Sequence, residues 1–125
     1  MTDQPAPLTS EQLDQIEARA TAATPGPWCT DSWEIYQGAE YQPGVSPWIG
    51  ETCRGTSSLR QDCADAVFVA AARTDVPALL AEVRRLRAQR KYLVGQLAKR
   101  DAETGRGDQA LRDFLTAGSD EDASQ

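Results

Sequence analysis

The sequence predicts an α+β fold: an N-terminal helix, a small antiparallel β-sheet, a buried short helix, and a long C-terminal coiled-coil helix followed by a short terminal one. Three observations predict it. Apolar side chains recur at helical spacing at the two ends of the chain but not in its middle. Residues 28–54 instead mix Trp, Tyr, Ile and Val with Gly and Pro, which is strand-and-turn composition. From Val76 onward, Val and Leu fall on a seven-residue repeat.

Residues 1–8 are polar and proline-containing and read as a flexible arm before a head over residues 9–73. The first helix has a marked start. Thr9 can cap it, Gln12 at the third helical position completes a capping box, and Leu8 can pack on Leu13. Leu13, Ile16, Ala20 and Ala23 then form a narrow apolar stripe, which Thr24-Pro25-Gly26-Pro27 terminates.

In the central region Trp33 and Ile35 alternate with Glu34 and Tyr36, as a strand with one buried face would. Turns are expected at Gln37-Gly38-Ala39-Glu40 and Gln42-Pro43-Gly44, and a second strand near Trp48–Cys53. A hairpin alone is marginal, so the sheet needs a helix against it. Asp62–Ala72, apolar over most of its circumference through Ala66, Val67, Phe68, Val69 and Ala70, is expected to be that buried helix. Thr74-Asp75-Val76-Pro77 is expected to end it and to cap the next.

Residues 74–101 read as an oligomerisation helix. With Val76 at position a, the a residues are Val76, Val83, Arg90 and Leu97 and the d residues Leu79, Leu86, Leu93 and Arg100. The expected interface is therefore Val76, Leu79, Val83, Leu86, Leu93 and Leu97. β-Branched Val at a with Leu at d favours a dimer. An amphipathic helix folded onto its own domain is the competing reading of such a stripe. Residues 102–118 are expected to form a hinge and a short amphipathic helix, and residues 119–125 an acidic tail.

The formal charge of −6 is unevenly placed: from Glu82 to Arg100, seven basic residues stand against one acid. The bland account of this run is a solvated helix face paired with acids, and the sharper one is phosphate contact by Arg84, Arg87 and Lys91, hence nucleic-acid binding. Trp28, Trp33, Tyr36 and Trp48, with Arg54 and Arg60, are a candidate surface for a nucleotide or a partner protein, although aromatics in so small a chain more often serve the core.

The chain has no histidine, so it lacks the commonest general base and zinc ligand, and it has no glycine-rich phosphate motif. An enzyme is not expected, nor a metal or cofactor. Cys29, Cys53 and Cys63 are odd in number and widely spaced, and read as buried or half-buried hydrophobes in a reducing compartment. With no bilayer-length apolar run and no secretory N-terminus, a cytoplasmic protein is expected.

Two segments carry a resemblance: Ala23-Thr24-Pro25-Gly26-Pro27-Trp28, and Asp65-Ala66-Val67-Phe68-Val69-Ala70-Ala71-Ala72-Arg73 running into Asp75-Val76-Pro77-Ala78-Leu79-Leu80-Ala81-Glu82-Val83. In that order, over residues 9–90, the chain resembles the Ead-like early-region accessory proteins of tailed phages and similar small proteins of actinobacterial phages and prophages. The resemblance implies an α+β head on an oligomeric helical stalk and a role in host takeover through a host protein. An anti-defence module that sequesters a nucleotide signal is the alternative. No binding or catalytic residue is carried over from the family.

Overall fold

The computed structural model describes residues 5–55, 58–104 and 113. Its elements are helix α1 (Ser10–Ala22), strands β1 (Trp28–Asp31), β2 (Glu34–Gln37) and β3 (Trp48–Glu51), and helix α2 (Leu59–Thr104). This is an α+β chain with one three-stranded antiparallel sheet in the order β1-β2-β3. The chain divides into two compact units, residues 17–79 and residues 1–16 with 80–125.

Helix α1 begins where the capping box requires. The amide of Gln12 donates to Thr9 Oγ1 at 2.9 Å and the amide of Thr9 to Gln12 Oε1 at 2.8 Å, satisfying two amides that have no intrahelical partner. The expected stripe is the buried side of the helix: Leu13 is buried and Ile16, Ala20 and Ala23 are half-buried.

The 17–79 unit is built from the sheet and the first turns of α2. Strands β1 and β2 meet in a hairpin in which Asp31 pairs with Glu34, leaving Ser32-Trp33 as a two-residue loop. Ser32 has φ 55°, a positive value at the first loop position that matches the twist of the flanking strands. Trp33 therefore lies in the turn, not in the strand alternation expected of it, and β1 is a strand the sequence reading did not separate. A bulge between Ile35 and Tyr36 turns both Ile49 and Gly50 to the side of Ile35. Ile35 packs with Ala66 and Ala70 of α2, and Trp28 and Ile49 close the cluster.

Helix α2 corrects two expectations. The separate short helix and the break at Thr74–Pro77 do not occur: one helix of 46 residues runs through Pro77 and on to Thr104. Proline there removes one amide donor and crowds the Arg73 carbonyl. Ala70-Ala71-Ala72 a turn earlier and Ala78-Leu79-Leu80-Ala81 after it are strong helix formers that favour continuing the helix. Nor is the Asp62–Ala72 stretch buried all round. Only Asp62, Ala66 and Ala70 are buried, while Phe68 is 75% exposed and Val67 and Val69 are also exposed. Three strands of four residues can cover just one side of a helix.

The helix starts at Leu59 with Ser58 as its cap, Ser58 Oγ accepting from the Gln61 amide at 3.1 Å. Thr52 ties β3 to this end by donating to the Asp62 carbonyl at 2.6 Å. All three cysteines are free; Cys29 and Cys63 are half-buried as expected, but Cys53 is exposed, because it follows the last paired residue of β3. Among the described residues no helix is long and apolar enough to cross a membrane. Residues 102–104, expected to open the hinge, instead form the last turn of α2. The rest of the hinge at 105–107, all of the expected short helix at 109–117 except residue 113, and the acidic tail lie outside the described residues, as do the first four residues of the arm.

Candidate interaction surface

Four of the six apolar heptad positions of α2 are open to solvent. Leu79 is 63% exposed, Leu86 48% and Leu93 47%; Val76 is exposed as well, and Val83 and Leu97 are half-buried. Exposure of three leucines on one repeat is costly, since each, about half exposed, forgoes roughly half of the 1.5–3 kcal/mol that full burial of a leucine gives.

Within the unit formed by residues 1–16 and 80–125, α1 lies on other positions of the helix. Arg84 Nη2 donates to Asp14 Oδ1 at 2.8 Å. Ser10, Leu13 and Asp14 line a shallow hollow of about 460 Å³ with Arg84, Arg87, Ala88 and Lys91. Arg84, Arg87 and Lys91, the candidate phosphate contacts, are thus brought together around one hollow, in which Arg84 pairs with Asp14. Arg85 is likewise engaged: its Nε donates to Glu82 Oε2 at 3.0 Å. That hydrogen bond holds the Glu82 carboxyl below its ordinary range and the Arg85 guanidinium above its own.

The six residues proposed as a ligand or partner surface do not form one cluster. Trp28 packs on the core, Trp33 sits in the β1–β2 turn, and Arg54 and Arg60 belong to the loop and first turn leading into α2. Arg54 reaches two acids, with Nη2 3.5 Å from Asp65 Oδ2 and Nε 4.0 Å from Asp62 Oδ1. Tyr36 and Trp48 do come together as opposed residues of β2 and β3, and the Tyr41 ring stands 4.6 Å from that of Tyr36. Tyr36 donates its hydroxyl to Glu34 Oε2 at 2.6 Å, and this bond, aided by desolvation and by the Glu34 charge, pushes its ionisation well above the usual tyrosine range.

One joint escaped the sequence reading. The Thr24–Trp28 segment and helix α2 meet: Arg73 Nε donates to the Thr24 carbonyl at 2.8 Å, and Trp28 Nε1 donates to the same oxygen at 3.1 Å. Gly26, in a cis linkage to Pro27, lies so near that a β-carbon there would stand 3.0 Å from Arg73 Cγ. Gln37 adds a third bond to the segment, from Nε2 to the Pro25 carbonyl at 3.0 Å. The only advance signal was that proline and glycine leave backbone carbonyls without helical or strand partners.

Among the described residues no set of three or more His, Cys, Asp or Glu side chains is placed to hold a metal ion. Comparison with protein-family models, with curated proteins and with solved structures finds no match for the chain.

Proposed function

We propose that the chain is a non-enzymatic, phage-type accessory protein that dimerises through α2 and binds a host protein to alter its activity. The observation that carries this reading is the exposure of Val76, Leu79, Leu86 and Leu93 on one heptad repeat. Such positions pair favourably with the same positions of a second copy, with β-branched Val at a and Leu at d suited to two parallel strands. Charge supports the parallel arrangement. In that register Glu82 at position g comes within reach of Arg87 at position e of the other copy, and no pair of this kind joins like charges. Arg90 at an a position costs stability and disfavours larger assemblies. The lack of histidine argues against the common hydrolytic mechanisms.

Phosphate binding gains less support, because Arg84, one of its three candidate residues, already pairs with Asp14. A nucleotide-sequestering site is similarly weakened by the two acids beside Arg54. Sedimentation of the intact protein against Leu86→Asp tests the assembly: the variant is expected to sediment as the lighter species, and equal monomeric masses for both would reject the proposal.

A further inference from the structure

The solvent face of the β-sheet carries a charge pattern that the dimer proposal leaves unused. Ile35 points into the core, so its neighbours Glu34 and Tyr36 point outward. Register then places two rows on that outer face. One is acidic: Asp31 and Glu51 are opposite Glu34 on either side. The other is largely aromatic: Cys29 and Trp48 are opposite Tyr36, and Tyr41 flanks the Tyr36 ring. The rows are two residues apart along β2, or about 6.6 Å.

Like charges directly opposite one another across strands are destabilising. Here three carboxylates share a row, and among the described residues neither Asp31 nor Glu51 has an ion-pair partner, while Glu34 accepts from the Tyr36 hydroxyl. Beside them Trp48 is 58% exposed, a large aromatic surface with no cover. An exposed indole next to uncompensated carboxylates suits a cation twice over. The ring face attracts a guanidinium or ammonium through its quadrupole, and the carboxylates accept charge-assisted hydrogen bonds from the same or a neighbouring side chain. An anionic ligand would meet three negative charges here. A purely apolar partner would have to strip water from them without recompense.

We infer that this sheet face, through Trp48, Tyr36, Asp31, Glu34 and Glu51, docks an arginine- or lysine-rich segment of a partner protein. The surface stands independently of the α2 seam.

The test is amide and indole NMR of the full chain titrated with an alternating arginine-glycine octapeptide at low and high salt. Saturable shifts at the Trp48 indole and at the amides of β1–β3, weakened by salt, are expected. Glu34→Gln combined with Glu51→Gln should lower the affinity about tenfold. Both changes lie on the exposed face, and the dispersion of the remaining resonances reports whether the variant stays folded. Shifts confined to other surfaces, equal shifts with a glutamate-glycine peptide, or no shifts at all would overturn the proposal. So would the same resonances moving on dilution without peptide, which would mean that a second copy fills the face.

Discussion

Single residues set the local joints of this chain, and each can be probed alone. The Thr9–Gln12 box satisfies two amides at the start of α1. Thr9→Ala should cost about 1 kcal/mol in urea or thermal unfolding. Tyr36 offers a titration. Its hydrogen bond to Glu34 favours the protonated phenol in the folded state, so the stability it contributes is complete below the ordinary tyrosine range and is lost as pH rises through the folded value. Tyrosinate absorbance should show a late-ionising step that Tyr36→Phe removes and Glu34→Gln moves toward neutral pH. If the step survives in Tyr36→Phe, the hydrogen bond is not its cause. The acidic row makes a prediction of opposite sign to most surface changes: Glu51→Gln relieves like-charge repulsion with Glu34 and should stabilise the fold by a few tenths of a kcal/mol, about 0.2–1. Unfolding at several salt concentrations reads it, since the gain should shrink as salt screens the row.

At the scale of elements, the helix α1 was legible in full because capping, apolar stripe and proline stop all agree with one another. The α+β class and the antiparallel sheet were also legible, since strand composition separates cleanly from helical periodicity. Strand β1 was not: its turn, Asp31-Ser32-Trp33-Glu34, has Ser where glycine would have announced a positive φ. Pro77 misled in the opposite direction. Proline after Thr74-Asp75-Val76 has the composition of a helix start, and only the strength of the helix on either side decides that α2 continues through it. That conclusion is checkable: Pro77→Ala restores an interior amide and should raise stability by about 1–3 kcal/mol in denaturant unfolding. A loss of stability instead would point to a genuine helix boundary at Val76. The candidate ligand surface was only partly legible, because composition gathers aromatics that register then disperses. Tyr36 and Trp48 share a face through a bulge that no sequence pattern marks, whereas Trp28 faces the core and Trp33 the turn. Arg73 was passed over because its partner is a backbone carbonyl, and backbone acceptors leave no trace in side-chain patterns.

For the molecule as a whole, the decisive feature is how little the described residues of the chain bury. Leu13, Ile35, Ala66 and Ala70 are the buried apolar residues among those described, and no large side chain is fully enclosed. A core of this size supplies little stability, and small chains of this kind commonly gain the remainder by association. The exposed heptad leucines of α2 are an unused store of such stabilisation, and the proposed dimerisation would couple folding to concentration. Sedimentation equilibrium of the intact protein over a wide concentration range tests the central claim most directly. The account predicts a mass approaching twice the 13.6 kDa of the chain, falling toward the single-chain value on dilution; a mass of 13.6 kDa at every concentration would contradict it.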